Sequence, residues 1–259
     1  FPAGTGQRSI KNSDSDSTYD KCFQYLLDRP SVDYFAYVDG EVAFVEILNK
    51  YIENKFSTSS LKSLDEPLDG CANISLDKSK LHVGKYINRI GMLGSVKTNG
   101  RDVIPSPYTT GLLDKFLDGT FVPAFETARG CPYLCTFCAS HKTHGRKMRY
   151  HSIERVREDL SKLVEEYNAG TIVFQDDHLM ADKDRVLAIL DTVKSLGVES
   201  LYQNGLTLYA LDRPMLEAFY DAGVRHLVLP VESGSEKVLK HQMRKPLKLR
   251  ISQRVAQDC

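Results

Sequence analysis

Residues 171–178 read Thr-Ile-Val-Phe-Gln-Asp-Asp-His. The first five, residues 171–175, combine β-branched and apolar side chains and are typical of a buried strand, which here runs into two aspartates and a histidine. A helix is predicted over residues 182–196, because Asp182 suits the N-terminal cap and Gly197 the C-terminal cap. The stretch therefore predicts a strand followed by a helix, with polar groups at the carboxyl end of the strand.

The same pattern occurs three more times in the second half of the chain. Strands are predicted over residues 121–126, 201–206 and 225–232. Four strand–helix units in series predict a parallel sheet with crossover helices, arranged either as a barrel or as an open doubly wound sheet. The helices that follow these three strands are predicted to begin near Ser152, near Pro214 and just after Ser235.

The first half of the chain also has an α/β pattern. Residues 33–38 predict a strand and residues 42–52 a helix, with a turn between them. Residues 56–80 are rich in Ser, Asp, Lys and Gly and predict a loop, whereas residues 81–94 look extended. Two prolines stiffen residues 103–111, which we interpret as a domain connector.

The composition is that of an ordinary globular protein. The 259 residues carry 34 basic and 34 acidic side chains, so the formal net charge of zero provides no overall field that would attract nucleic acid or an anionic membrane. No apolar run reaches about twenty residues, and the first residues do not resemble a signal peptide. We therefore expect a soluble, cytoplasmic protein that binds no nucleic acid. Both ends of the sequence look cut, and we interpret the chain as a fragment of a longer protein.

Polar residues follow the predicted strands at their carboxyl ends, where parallel α/β folds bind ligands. Each of them could equally cap a helix or a turn, and only their occurrence along one edge favours a ligand site. The candidates are Asp176 and Asp177 after the second predicted strand, Gln203 and Asn204 in the third, and Glu232 and Ser233 at the end of the fourth.

A cysteine cluster follows the first predicted strand of the array. Residues 131–138 read Cys-Pro-Tyr-Leu-Cys-Thr-Phe-Cys and hold half of the six cysteines of the chain. A closed zinc site needs four ligands, and His141 could complete one, while a disulfide with a spare thiol does not suit the scattered remaining cysteines. The location of the loop favours a third interpretation, an iron–sulfur cluster bound through three irons with the fourth iron open.

The cysteine spacing resembles the signature of radical S-adenosylmethionine (radical SAM) enzymes. Cys131, Cys135 and Cys138 follow the pattern Cys-x3-Cys-x2-Cys, with the aromatic Phe137 just before the last cysteine. The surrounding sequence is similar to the branch of that family that carries an N-terminal cobalamin-binding domain. The stretches that carry this second resemblance are residues 32–41, 104–108, 126–138, 174–177 and 231–239.

The resemblance implies an α/β fold in two parts. A partial (β/α) barrel of the radical SAM type, with its first four βα units present, would be preceded by the C-terminal part of a Rossmann-like cobalamin-binding domain. We place the end of the cobalamin-binding domain at residues 1–55, a linker region at residues 56–118 and the N-terminal part of the barrel at residues 119–259. The Asp-x-His-x-x-Gly loop that often supplies the lower cobalamin ligand does not occur in the sequence, so this ligand is not predicted.

The resemblance also implies cofactors and roles for individual residues. The thiolates of Cys131, Cys135 and Cys138 would hold a 4Fe-4S cluster whose open iron is chelated by SAM, and one electron would cleave SAM to a 5′-deoxyadenosyl radical. Cobalamin would be the third cofactor. Phe137 would lie against the adenine of SAM, and further contacts with SAM are expected around Asp176, Asp177, Gln203, Glu232 and Ser233.

We therefore predict a cobalamin-dependent radical SAM enzyme and a candidate methyltransferase. Its substrate would be a small or lipid-like molecule, and its electron donor a protein such as flavodoxin or ferredoxin. A ring-forming reaction without methyl transfer stays open within this class. A methylthiotransferase is less well supported, because its N-terminal domain needs three further cysteines and only Cys22 and Cys71 occur upstream. The hypothesis from another class is a zinc- or iron–sulfur-binding module for interaction or electron transfer.

Basic residues follow the cysteine cluster. A solvated loop is the favoured interpretation, and contact with an anionic substrate is the alternative. The residues concerned are Lys142, Arg146, Lys147 and Arg149.

Overall fold

The computed structural model describes residues 28, 34–36, 40–53, 71–74, 81–83, 105–111, 113–114 and 122–259. The chain divides into two compact units. One comprises residues 1–90 together with residues 142–144, and the other comprises residues 91–141 and 145–259. Among the described residues, no helix is both long enough and apolar enough to cross a membrane.

The described residues of the first unit form a small antiparallel sheet and a helix. Strand β1 spans Tyr34–Ala36, helix α1 spans Gly40–Glu53, and strands β2 and β3 span Cys71–Ile74 and Leu81–Val83. The strand order is β1-β2-β3, and both pairs are antiparallel. The predicted strand–turn–helix pattern is confirmed by β1 and α1.

Strand β2 corrects the prediction of a loop over residues 56–80. The strand is only four residues long, so it shows no alternation that could distinguish it from a loop. Its pairing with both neighbours and the complete burial of Cys71 against Ala43 define it instead. The antiparallel order differs from the parallel strand order of a Rossmann-like core. The assignment of residues 1–55 to a cobalamin-binding domain stays a prediction.

The second unit begins with a short strand and a hairpin. Strand β4 spans Ala124–Phe125, and strands β5 and β6, which form an antiparallel hairpin, span Ala128–Arg129 and Arg149–Tyr150. Between them lies α2, Ser140–Thr143, part of which groups with the first unit. The elements that follow are α3 (Ile153–Glu165), β7 (Thr171–Phe174), α4 (Lys183–Leu196), β8 (Glu199–Leu201), α5 (Arg213–Asp221) and α6 (Leu249–Asp258).

Strands β4, β7 and β8 form a parallel sheet in that order. Phe125 of β4 pairs with Phe174 of β7, and Val173 pairs with Leu201 of β8. Helices α3 and α4 are the crossovers between these strands, as parallel pairing requires. The α/β class with a parallel sheet is confirmed.

Two of the predicted strands are corrected. The third strand is Glu199–Leu201 and not residues 201–206, because the chain turns directly afterwards with Gly205 at φ 79° and its N–H bonded to the carbonyl of Tyr202 at 3.2 Å. Residues 225–232 form no strand of the sheet. Pro230 has no N–H to donate to a ladder, and one backbone hydrogen bond, from Leu206 N to Val228 O at 3.2 Å, connects this segment to its neighbour. The described residues thus contain three paired parallel strands instead of four.

The helix ends confirm the capping residues. Ser152 accepts a hydrogen bond from Arg155 N at the start of α3, and Asp182 accepts one from Arg185 N at the start of α4. Gly197 closes α4 in the left-handed conformation, at φ 64°. Helix α5 has its proline within the first turn, as predicted, and Asp212 is its N-terminal cap.

A row of aromatic side chains connects the sheet to α5. The rings of Phe125 and Phe174 meet edge to face at 5.7 Å, Phe174 stacks on Tyr202 at 5.0 Å, and Tyr202 meets Phe219 of α5 edge to face at 5.1 Å. All four side chains are buried. Such pairs contribute about 0.5–1.5 kcal/mol each beyond the burial of their area. The carboxyl ends of β7 and β8 are therefore fixed by the core directly beneath them.

One further helical segment lies between α5 and α6. Residues Val238–Gln242 form a short π-helix, and its Leu239 is fully buried. This π-helix and the residues after it approach the cysteine cluster, as described below.

Candidate functional site

The cysteine loop, residues 131–138, lies in the connection between β5 and β6 and therefore at the mouth of a hairpin rather than directly after the first sheet strand. Strand β5 pairs with β6 through Ala128 and Tyr150. The N–H of Cys131 donates to the carbonyl of Gly145 at 3.0 Å, which closes the base of the loop.

Gly130 fixes the first turn of the cysteine loop. Its φ of 103° is accessible to glycine and strained for other residues, and an added Cβ would lie 2.4 Å from the carbonyl oxygen of Lys147. Its N–H donates to a carboxylate oxygen of Asp177 at 3.2 Å, immediately after β7. Asp177, predicted as a SAM contact, thus connects β7 to the cysteine loop.

The three thiols of the loop are half-buried and close enough to influence one another. Burial raises the pKa of Cys131, and the neighbouring thiols of Cys138 and Cys135 raise it further, while a backbone hydrogen bond at Tyr133 lowers it. Burial also raises the pKa of Cys135. The thiol of Cys138 lies 3.3 Å from the hydroxyl of Ser140.

The donor set of the cysteine loop matches that of a 4Fe-4S cluster with one open iron. Such a cluster takes one thiolate at each of three irons, and the loop carries three thiols, those of Cys131, Cys135 and Cys138. In the part of the chain that the structure describes, no three His, Cys, Asp or Glu side chains are already grouped around a single point.

The carboxyl group of Asp176 is buried and hydrogen-bonded within the protein. The residue is 4% exposed and accepts hydrogen bonds from Thr127 N at 3.2 Å and from Thr127 Oγ1 at 2.7 Å. Burial raises the pKa of Asp176 to about 7, although the bonds from Thr127 oppose that shift. Arg185 donates to the carbonyl of Thr127 at 3.0 Å and brings the nearest positive charge. Asp176 thus fastens the chain just before β5 to the end of β7.

Gln203 and Asn204 differ in their roles. Asn204 donates from its amide to the carbonyls of Gln175 at 3.0 Å and Asp176 at 3.3 Å, so that it holds the end of β7. Gln203 is exposed in the turn after β8. A small, partly open depression lies beside this turn and is lined in part by Asp176, Tyr202 and Asn204.

Glu232 and Ser233 lie in the irregular segment after residue 225. Glu232 has a left-handed φ of 59°, unusual for a residue with a side chain, and its carboxylate lies 2.5 Å from the ammonium group of Lys245. The hydroxyl of Ser233 accepts a hydrogen bond from Ser235 N at 3.2 Å. Lys245 was not predicted from the sequence, because only the tertiary fold brings it to this position.

Phe137 is the most exposed aromatic residue of the cysteine loop, at 51%. The ammonium group of Lys245 lies over its ring, 5.9 Å from the centroid. Next to it, Thr136 donates from its N–H to the carbonyl of Met243 at 2.9 Å and from its hydroxyl to the carbonyl of Gln242 at 2.8 Å. The end of the π-helix is therefore attached to the tip of the loop.

An aromatic group that the sequence did not predict supports the other part of the loop. The ring of Tyr133 meets the rings of His178 at 5.3 Å and Tyr209 at 6.1 Å, both near edge to face. His178 Nδ1 and the hydroxyl of Thr207 lie 2.9 Å apart, and burial lowers the pKa of His178. The sequence feature that could have indicated this group is the position of His178, directly after the two aspartates at the end of the strand.

Arg146 explains part of the basic run after the cysteines. Its guanidinium group donates from Nε and Nη2 to the carbonyl of Pro132, both at 3.2 Å. Arg149 is buried in β6 and not part of a solvated loop. Both basic residues therefore support the hairpin. The prediction of a solvated loop is wrong at Arg149, whereas Arg146 is exposed, as that prediction expects.

Residues 125–252 match the Radical SAM superfamily, and this range contains the cysteine loop, nearly all of the parallel sheet and Lys245. This part of the chain is a radical SAM domain.

Among curated proteins, the chain is 31% identical over 144 residues to the cytidylyl-2-hydroxyethylphosphonate methyltransferase of Streptomyces wedmorensis, covering 56% of this chain and 26% of that protein. It is 32% identical over 166 residues to an uncharacterised methyltransferase of Pyrococcus horikoshii, covering 58% of this chain and 36% of that protein. The chain thus spans about a quarter to a third of the length of these relatives.

Among solved structures, the fold is similar to that of the radical S-adenosylmethionine methyltransferase TsrM from Kitasatospora setae, with cobalamin and a [4Fe-4S] cluster bound. The TM-score is 0.61 over 90% of this chain and 44% of that chain, at 12% identity. This similarity concerns the fold alone.

Proposed function

We propose that this chain provides the cluster-binding part of an enzyme that binds a 4Fe-4S cluster through Cys131, Cys135 and Cys138 and cleaves SAM reductively. The observation that carries the proposal is the set of three half-buried thiols on one loop, within a domain of the radical SAM superfamily. When bound by these three cysteines, the cluster would supply the electron that cleaves the sulfonium of SAM to methionine and a 5′-deoxyadenosyl radical.

The residues around the loop have distinct proposed roles. Gly130 and Asp177 set the entry of the loop, and Asp176 holds the preceding residues through Thr127. Of the predicted SAM contacts, Phe137, Gln203 and Glu232 are exposed, and we keep Phe137 as the adenine contact. Asp176, Asp177, Gln203, Glu232 and Ser233 are proposed to shape the region in which SAM binds.

We further propose that the whole protein binds cobalamin and transfers a methyl group. Two methyltransferases among the curated relatives, and a cobalamin-bound methyltransferase that shares the fold, support this proposal. In it, residues 1–55 are the end of a cobalamin-binding domain, residues 56–118 the linker region and residues 119–259 the start of the barrel. We propose a small-molecule or lipid-like substrate, a donor such as flavodoxin or ferredoxin, and a cytoplasmic location.

Anaerobic reconstitution of the full-length protein tests the cluster. We expect about four iron and four sulfide ions per chain and little zinc. Cys135→Ala removes one thiolate and should lower the iron content, whereas Cys259→Ala changes an exposed cysteine outside the loop and should not. Stoichiometric zinc without iron, unaffected by Cys135→Ala, would overturn the proposal and favour the zinc-binding module.

Catalysis is tested separately on the reconstituted full-length protein. With SAM and a low-potential reductant, we expect 5′-deoxyadenosine from the wild type and from Cys259→Ala, and none above background from Cys135→Ala. A protein with a complete cluster that forms no 5′-deoxyadenosine would point to an electron-transfer module.

A further inference from the structure

The ion pair between Lys245 and Glu232 lies beside the cysteine loop and is not explained by the packing of the fold. The ammonium nitrogen and the carboxylate oxygen are 2.5 Å apart, and the two side chains are 16% and 24% exposed. A pair of this kind is weakly screened by salt, because most of its surroundings are protein rather than water. Its two charges therefore act on neighbouring groups more strongly than surface charges do.

The backbone holds Lys245 rigidly. Its N–H donates to the carbonyl of Leu239 at 2.8 Å, and its own carbonyl accepts from Leu247 N at 2.9 Å. Leu239 is fully buried and Leu247 is nearly so, and both belong to the main core. The backbone from which the Lys245 side chain extends is thus fixed by the core, and the ion pair with Glu232 holds the ammonium group.

The same segment is fastened to the cysteine loop. Thr136, between the second and third cysteines, donates twice to the carbonyls of Gln242 and Met243, and the Lys245 ammonium lies over the ring of Phe137. Phe137 is directly followed by Cys138. A fixed positive charge is therefore held against the part of the loop that carries two of the three thiols.

Glu232 is held under strain as the partner of this charge. Its left-handed φ of 59° is strained for a residue with a Cβ, and such conformations persist where the surroundings fix them. The carboxylate places a negative charge next to the positive one, so that the two have opposite effects on any group nearby.

We propose that Lys245 and Glu232 together set the reduction potential of the cluster, Lys245 raising it and Glu232 lowering it. The proposal rests on the proposed cluster at Cys131, Cys135 and Cys138. The cluster accepts one electron from an external low-potential donor on reduction, with no bond made or broken, and so gains one negative charge. A nearby cation stabilises the reduced state and an anion destabilises it, by Coulomb's law. Lys245 and Glu232 therefore act on the cluster through their charges, and their effects on its reduction potential are opposite.

The test uses the reconstituted full-length protein without SAM, titrated with dithionite and redox mediators, with the reduced cluster followed by electron paramagnetic resonance. Lys245→Met should shift the midpoint potential downward, because it removes the cation and leaves Glu232 unpaired. Glu232→Gln should shift it upward. Lys245→Arg keeps the charge and should restore the wild-type value. Lys240→Met, which removes an exposed lysine of the π-helix, should leave the potential unchanged.

Iron and sulfide content is measured for each variant, which separates this proposal from the proposed function. A wild-type protein without a cluster refutes the proposed function itself. If the clusters are complete and the potentials of Lys245→Met and Glu232→Gln equal that of Lys240→Met, the pair does not tune the cluster and the proposal is wrong. If Lys245→Met loses its cluster, the midpoint potential of Glu232→Gln provides the test. An upward shift supports the proposal, and a downward or absent shift contradicts it.

Discussion

The cysteine loop is attached to the protein in two places, and the two attachments are built differently. At its entry, the buried carboxylate of Asp176 accepts a hydrogen bond from the backbone of Thr127, and the half-buried carboxylate of Asp177 accepts one from the backbone of Gly130. At its tip, backbone carbonyls after the π-helix accept from Thr136, and a half-buried ion pair lies alongside. The entry is thus fixed by desolvated groups whose loss is costly, whereas the tip is held by weaker bonds that bring charge close to the thiols.

Gly130→Ala is expected to disturb the entry most. The new Cβ would approach the Lys147 carbonyl oxygen to 2.4 Å at a φ of 103°, so that steric overlap adds to backbone strain. We expect a loss of about 3–5 kcal/mol in the free energy of unfolding. Chemical denaturation measures it. Gly170→Ala has open space around the new Cβ and is the matched control. Equal stability of the two variants would show that the loop entry is not tightly packed.

The ionisation of Asp176 is expected to make the stability of the entry depend on pH. Its pKa is raised from 3.8 to about 7 by burial, so the folded state favours the protonated carboxyl. Stability from this group is then complete below about pH 4 and is lost as the pH rises to about 7, by about 2–4 kcal/mol. The free energy of unfolding of the wild type minus that of Asp176→Asn should therefore fall as the pH rises from about 4 to about 7. A difference that rises with pH would contradict the assignment.

Thr127→Val removes the hydroxyl that donates to buried Asp176 at 2.7 Å. Leaving a buried carboxyl without this donor is expected to cost about 1–3 kcal/mol. Thr192→Val, which removes a hydroxyl bonded to the carbonyl of the preceding turn of α4, is the control and should cost less. Thermal or chemical unfolding provides the comparison. Similar losses in both variants would mean that the bond from Thr127 to Asp176 contributes no more stability than an ordinary hydroxyl bond within a helix.

Thr136→Val makes the same chemical change at the tip of the loop. Its hydroxyl bond to the Gln242 carbonyl is exposed, and the backbone bond to Met243 remains. We expect a loss of about 0.5–1 kcal/mol, smaller than for Thr127→Val. A loss equal to that of Thr127→Val would remove the difference between the two attachments.

The sequence predicted the helices well because their signals are local. Ser152, Asp182 and Gly197 mark helix ends through side-chain or backbone geometry within a few residues. The fourth strand was mispredicted for a physical reason. Residues 225–232 are apolar enough for a strand, but Pro230 lacks the donor and Glu232 adopts a left-handed conformation.

The site was predictable as far as the spacing of the cysteines. The roles of its neighbours were not, because they depend on contacts between residues far apart in the chain. Asp176 meets Thr127 across 49 positions, and Thr136 meets Gln242 across 106. Sequence periodicity therefore placed Asp176 at the correct strand end but could not show that its carboxylate is buried. Lys245 carries no local signal at all.

The most direct test of the central claim is a titration of the reduced, reconstituted full-length protein with SAM, followed by electron paramagnetic resonance. Three thiolates leave one iron open, so SAM should change the spectrum of the wild type and of Cys259→Ala in a saturable manner. The account predicts that change together with about four iron ions per chain. A cluster spectrum that does not respond to SAM, or a protein that takes up zinc in place of iron, would contradict it.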